Sequence, residues 1–148
     1  MDFRESMIYE RYKVVTSRQL YLVDLTKDTF ASYARTLAAF VAGSITLVSV
    51  AEKLELSPAV ALDLVRAIVV FLSFAALLSV AQIVFCMKRW FEYRKAECEI
   101  NPDAPAPEWW ACLFEAMYAL AIFGSVGLIW WGYFYIGSTL GVPTSVAP

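Results

Sequence analysis

The sequence predicts an all-α integral membrane protein with three transmembrane helices, preceded by an amphipathic N-terminal helix at the membrane interface. Hydrophobic residues make up 60% of the 148 residues and charged residues 18%, against roughly 45–50% and about 25% in soluble domains. Mean hydropathy is correspondingly high, at +0.59. The apolar residues also fall into three long runs, each long enough to cross the hydrocarbon core of a bilayer.

The N-terminal segment, residues 1–28, predicts the interfacial helix because aromatic and aliphatic side chains alternate there with basic ones. Thr16 followed by Gln19 has the spacing of a capping box, which predicts that a new helical segment begins at this point. A loosely ordered tail is the alternative interpretation. The acidic residues of the segment and its lack of an apolar core argue against a cleavable signal peptide.

The membrane domain is predicted to occupy residues 29–141, followed by a short tail at 142–148. Its three spans are expected at about 29–51, 63–88 and 109–137.

Two connections of different length join these spans. The first, residues 52–58, ends in Ser57-Pro58, which are a good capping residue and a good first helical residue. The second, residues 88–108, is predicted to be the only sizeable loop, and three prolines exclude a helix from its last part.

Paired tryptophans mark both ends of the third span. Trp109-Trp110 and Trp130-Trp131 lie 21 positions apart, which is roughly 31 Å along a helix and matches the hydrocarbon thickness. Such pairs are typical of an aromatic belt at the two membrane interfaces.

Small residues share one face of the first span, where Ala31, Ala38 and Ala42 recur at helical spacing. A stripe of this kind lets two helix backbones approach closely, so this face is predicted to pack against another helix.

The basic residues predict the orientation. Five precede Thr29, one lies in the first connection, four lie in the second, and the C-terminal tail has none. The positive-inside rule therefore places the N-terminus in the cytoplasm and the C-terminus outside. The four basic residues of the second connection are expected to bind anionic lipid headgroups as well as to set the topology; they are Lys88, Arg89, Arg94 and Lys95.

Four charged residues fall within or at the edge of the predicted spans, namely Arg35, Asp63, Arg66 and Glu115. We expect Arg35 and Glu115 to form an ion pair. Arg35 and Glu115 each lie about six residues from the cytoplasmic end of a span, roughly 9 Å deep. A lone charge at that depth costs about 2–3 kcal/mol, so a partner is expected within the chain or from a neighbouring chain. A lining role in ion or proton passage is the alternative.

No constellation of residues in the sequence looks like an enzyme active site. There is no histidine, which removes the commonest general base and metal ligand. The three cysteines, Cys86, Cys98 and Cys112, have no CxxC spacing and are expected to be free thiols. We therefore expect no enzyme activity, no cofactor, no metal and no nucleic-acid partner.

The segment KDTFASYARTLAA, residues 27–39, resembles the opening of the first span in the YidH-like family of small bacterial inner-membrane proteins. The layout of three spans with an aromatic and basic stretch after the second is also similar, from about residue 16 to 137. Lys27-Asp28 departs from the Glu-Arg of the family pattern, and the third span here is longer and more aromatic. The matching residues are Thr29, Phe30, Tyr33 in place of Trp, Arg35, Thr36 and, one place off, Ala39.

This resemblance implies a three-helix fold in a bacterial inner membrane, without an established activity. A similar module closes the eukaryotic vacuolar polyphosphate polymerase subunits, where it helps form a conduit for the polyanion. Two functions are consequently expected. The first is a non-catalytic accessory or scaffold subunit, whose partners are lipids and other membrane subunits or further copies of itself. The alternative is a homo-oligomeric channel or transport module for an anion or polyanion.

Overall fold

The computed structural model describes residues 3–51, 57–104 and 106–139, and these residues are helical except for one short connection. Helix α1 runs from Phe3 to Ala51, α2 from Pro58 to Ile100, and α3 from Leu113 to Thr139. A 3₁₀ turn, Trp109–Cys112, leads into α3. The three long helices are each long and apolar enough to cross a membrane. The all-helical, three-span class is confirmed, whereas the predicted tail at 142–148 lies outside the described residues.

Helix α1 corrects the prediction of a separate interfacial helix, because it continues without a break through residue 28. No glycine precedes Gly43 and no proline precedes Pro58, so nothing in this stretch ends a helix. The Thr16 hydroxyl donates to the Tyr12 carbonyl oxygen at 3.1 Å. This is the back-bonding of a threonine inside a helix, and it replaces the cap that the sequence suggested.

The N-terminal half of α1 is not clearly amphipathic either. Its buried positions include polar Gln19 and Thr26, whereas Leu20 and Tyr21 are exposed. Polar and apolar residues are therefore not segregated onto opposite faces, as an interfacial helix requires.

Helix α2 begins as predicted and ends later than predicted. The Ser57 Oγ accepts a hydrogen bond from the Val60 amide at 3.4 Å, which confirms the cap. At the other end, residues 88–100 are helical rather than part of a loop. The connection starts only at Asn101, whose side chain accepts from the Asp103 amide in a turn around Pro102.

All three helices have buried or half-buried residues at alternating spacings of three and four, the repeat of coiled coils. Glu115 and Gln19 occupy positions in this series, so both side chains belong to the core side of their helices. The series in α1 is Tyr12, Val15, Gln19, Leu22, Thr26, Thr29, Tyr33; in α2 Leu62, Val65, Val69, Leu72, Ala76, Ser79, Ile83, Cys86, Trp90, Tyr93, Glu97; and in α3 Cys112, Glu115, Ala119, Ile122, Val126, Ile129, Tyr133.

The chain divides into two compact units, and every long helix contributes to both. The first unit comprises residues 1–31 and 79–119, and the second comprises residues 32–78 and 120–148. The core of the second unit is apolar and is formed by Leu62, Val65, Val69 and Tyr133, with Leu47, Ile129 and Trp130 packed against it.

Candidate functional site

A buried polar cluster joins α1 to the C-terminal part of α2 in the first unit. Gln19 Nε2 donates to Glu97 Oε2 at 2.9 Å, and Arg94 forms an ion pair with the same carboxylate. Glu97 is only 5% exposed and Gln19 only 8%. A buried charge costs several kcal/mol unless it is paired and hydrogen-bonded, and here both conditions are met.

Glu97 lies ten residues beyond Met87, where the apolar part of α2 ends, and is therefore outside the span predicted at 63–88. Burial by itself raises the pKa of this carboxyl, but hydrogen bonds from Gln19, Arg94 and Tyr12 and the charge of Arg94 outweigh that effect. The net result is a pKa below the ordinary value of 4.5, so the folded protein favours the carboxylate.

Glu115 lines a small cavity in the same unit, together with Thr26, Cys86 and Cys112. The cavity measures about 10 Å³, close to the minimum that holds one water molecule. Glu115 Oε2 is buried and accepts no hydrogen bond from the residues that the structure describes. This is the one buried side-chain oxygen or nitrogen among them that lacks a partner.

The predicted ion pair between Arg35 and Glu115 is not formed through this oxygen within one chain. Glu115 shares its cavity with Leu22, Val23 and Thr26 of α1. Arg35 lies nine residues beyond Thr26, roughly 13.5 Å further along that helix, and is exposed. The prediction placed the start of a span at Thr29, whereas α1 continues through this position without an end. Pairing between neighbouring chains stays a prediction.

The predicted lipid-binding residues separate into two groups. Lys88, Arg89 and Lys95 are exposed. Arg94 instead has a side chain only 18% exposed and is held inward by Glu97, so it is a poor candidate for a headgroup contact. Arg89 also forms an ion pair with Glu92 at 2.8 Å. Within this group, the two lysines are exposed and form no ion pair with the residues that the structure describes.

The predicted aromatic belt is likewise divided. Trp110 and Trp131 are largely exposed, as belt residues should be. Trp130 is half-buried in the second unit, where its indole N–H donates to Ser73 Oγ at 3.0 Å. The side chain of Trp109 lies outside what the structure describes.

The predicted packing face of α1 has little covering it within the chain. Ala38 and Ala42 are exposed and Ala31 is half-buried. In the same unit as Ala38 and Ala42, the Tyr33 hydroxyl bonds to Ser125 Oγ at 2.8 Å. The opposite side of α1 is therefore the one that contacts α3.

The three cysteines form no disulfide bond, in agreement with the prediction, and Cys86 and Cys112 are buried whereas Cys98 is half-buried. Across residues 3–51, 57–104 and 106–139, no three Cys, Asp or Glu side chains are grouped to hold a metal ion. Comparison of the chain with protein families, with curated proteins and with solved structures finds no match.

Sequence reasoning missed the contact of Gln19 with Glu97, because the two residues lie 78 positions apart. The signal that was available is the repeat in α2, which continues from the spanning part to Glu97 in steps of three and four. Because this series extends past the apolar part of α2, it indicates that the helix continues and that Glu97 lies on the side facing the other helices.

Proposed function

We propose that this chain is a non-catalytic accessory or scaffold subunit of a larger membrane protein assembly. The observation that supports this most is the exposed small-residue face of α1, formed by Ala38 and Ala42. Helices in a membrane associate through close packing of small residues, since lipid tails are as apolar as leucine and provide no hydrophobic driving force. An alanine face turned outward in the spanning region therefore suits a helix from another chain.

The buried polar cluster supports the same proposal. It fixes the part of α1 and α2 that continues beyond the apolar spans, with Gln19, Arg94 and Glu97 satisfying one another. An extension whose helices are joined by buried polar groups is a suitable scaffold for a partner.

The test is extraction of the tagged chain from its native membrane in lipid-containing polymer discs, followed by intact-mass measurement. We expect a complex in which the chain is stoichiometric with a larger subunit. Recovery of the chain only as a monomer, or only with further copies of itself, would contradict an accessory role.

An anion channel is the second candidate, favoured by exposed Arg35 beside Ala38. In an oligomer these arginines would surround a pathway and attract anions. Planar-bilayer conductance that Arg35→Ala abolishes and Arg66→Ala leaves unchanged would establish this role. The second variant is a matched control, because Arg66 is another exposed arginine of a span-forming helix.

We further propose a bacterial inner-membrane location, membership of the YidH-like family, and a cytoplasmic N-terminus, which rests on the basic-residue counts. Lys88 and Lys95 are the residues best exposed to contact anionic headgroups. In a cysteine-free background, an impermeant thiol reagent applied to intact cells should label Ser145→Cys and miss Ser17→Cys. The opposite labelling would reverse the topology.

A further inference from the structure

The small cavity of the first unit is lined by residues from all three long helices. Thr26 of α1, Cys86 of α2 and Glu115 of α3 are among them. The cavity measures about 10 Å³, and a polar cavity of roughly 10–15 Å³ holds a single water molecule. Its size therefore restricts the ligand to one small molecule or ion, and the chemistry of its lining decides which.

Glu115 gives this cavity its strongest demand for a ligand. Its Oε2 atom is buried and has no hydrogen-bond partner among the residues that the structure describes. An oxygen that loses its hydrogen bonds to solvent on folding and gains none in return destabilises the folded state. Buried side-chain oxygens in proteins are for this reason bonded to another protein group or to an ordered water molecule.

Thr26 presents a second acceptor. The residue is only 2% exposed, and its hydroxyl donates its one proton to the Leu22 carbonyl oxygen at 3.0 Å. The Oγ1 atom keeps lone pairs and can only accept a further hydrogen bond. A ligand that satisfies both Glu115 and Thr26 must therefore supply two donors, and a water molecule has two O–H groups.

The remaining polar groups of the lining are thiols. Cys86 and Cys112 are both buried and both line the cavity. A thiol is a weak donor, so either one can donate to the oxygen of a water molecule. Together with the two acceptors, this gives a water molecule the two to four polar partners that keep it in a buried site.

Other small ligands fit this lining less well. In residues 3–51, 57–104 and 106–139, no three Cys, Asp or Glu side chains are grouped to hold a metal ion. An anion would lie against two oxygens that can only accept hydrogen bonds. Cavities that stay dry are lined by apolar groups alone, which is not the case here.

We propose that this cavity is a binding site for one structural water molecule that joins α1 to α3. The water donates one hydrogen bond to Glu115 Oε2 and the other to Thr26 Oγ1, and it accepts a weak one from a neighbouring thiol. The site belongs to the packing of the first unit and does not depend on the proposed role in assembly.

The direct experiment is a crystal structure of the full-length protein in a lipid mesophase, at a resolution that shows ordered water. We expect one water molecule at roughly 2.7–3.0 Å from both Glu115 Oε2 and Thr26 Oγ1. A dry cavity, an ion in place of the water, or a hydrogen bond from a protein group straight to Oε2 would overturn the proposal.

A double-mutant cycle tests the bridge in solution. Glu115→Met is made in the wild type and in Thr26→Val, and melting temperatures are measured in detergent. Because the two side chains are linked through the water, the effect of Glu115→Met should differ between these backgrounds by about 3 °C, the shift that one hydrogen bond produces in a chain of this size.

Thr29→Val is the matched control background. Thr29 Oγ1 makes the same bond to the carbonyl oxygen four residues earlier, at 2.7 Å from Leu25, but Thr29 is not among the residues that line the cavity. Glu115→Met should have the same effect in Thr29→Val as in the wild type. Equal effects in the wild type and Thr26→Val, or an equally large difference in Thr29→Val, would contradict a water bridge between Thr26 and Glu115.

Discussion

The two compact units of this chain bury different kinds of side chain between their helices. The first unit buries charged and amide groups in its core, with Gln19, Arg94 and Glu97 bonded to one another. The second unit has an apolar core, and its contacts between helices include hydrogen bonds between neutral side chains, such as that of Tyr33 to Ser125. The first unit therefore buries an ionised carboxylate together with its partners, whereas the second joins its helices through neutral groups beside an apolar core.

The units also differ in what they expose. Glu115 Oε2, in the first unit, is the one buried side-chain oxygen or nitrogen without a partner among the described residues. The second unit has exposed alanines and exposed Arg35, whereas exposed Lys88 and Lys95 belong to the first unit. In the proposed function, other subunits therefore contact the second unit and lipid headgroups contact the first.

The largest effect is expected from removing the carboxylate of the polar cluster. Glu97→Ala should lower the free energy of unfolding by on the order of 3 kcal/mol, because it leaves Arg94 and Gln19 without their acceptor. Thermal unfolding in detergent, followed by circular dichroism, measures this. Glu92→Ala is the matched control, since Glu92 forms the same i, i+3 pair with Arg89 on the surface. An exposed ion pair contributes roughly 0–1 kcal/mol to stability. Equal losses of stability in Glu97→Ala and Glu92→Ala would refute the distinction between the buried and the exposed pair.

Removing a buried side chain of the three-and-four repeat should lower the free energy of unfolding nearly as much. Leu72 is fully buried and Leu77 is exposed on the same helix. Leu72→Ala should cost about 2–3 kcal/mol through the cavity it leaves. Leu77→Ala, whose side chain faces outward, should cost about 0.5 kcal/mol or less. The same unfolding assay compares them, and a larger loss for Leu77→Ala would mean that the outward face of α2 is covered.

The polar cluster should also give an acid-dependent stability. Because the pKa of Glu97 is lowered in the folded protein, its contribution is fully present above the ordinary value of 4.5 and is lost as the pH falls through the lowered pKa. The melting temperatures of wild type and Glu97→Gln should therefore differ most near neutral pH and converge below 4.5. A difference that stays constant or widens on acidification would contradict a stabilised carboxylate.

The smallest effect is expected from the indole bond in the second unit. Trp130→Phe removes the hydrogen bond to Ser73 and should cost about 0.6 kcal/mol, the average for such bonds between membrane helices. Trp131→Phe is the control, because Trp131 is largely exposed. A difference near zero between the two variants would show that Ser73 finds another partner.

The parts of the fold that follow from local composition could be predicted. Runs of apolar residues locate the spans, and Ser57-Pro58 locates the start of α2. The continuity of α1 does not follow from composition, because a polar stretch before an apolar one suggests a separate segment; the absence of proline and glycine from residues 3–42 is the signal that favours one helix. The residues around Glu115 could not be predicted, since its height relative to α1 depends on how the helices pack, which no local pattern specifies.

The proposed role in assembly depends most on the exposed alanine face of α1 in the second unit. Its direct test is the intact mass of the native complex for wild type, Ala38→Leu and Ala121→Leu, the last being an exposed alanine of α3. We predict that Ala38→Leu reduces the fraction of chain found with its larger partner, while Ala121→Leu leaves that fraction unchanged. An unchanged fraction in Ala38→Leu would show that this face contacts lipid and would contradict the proposed role in assembly.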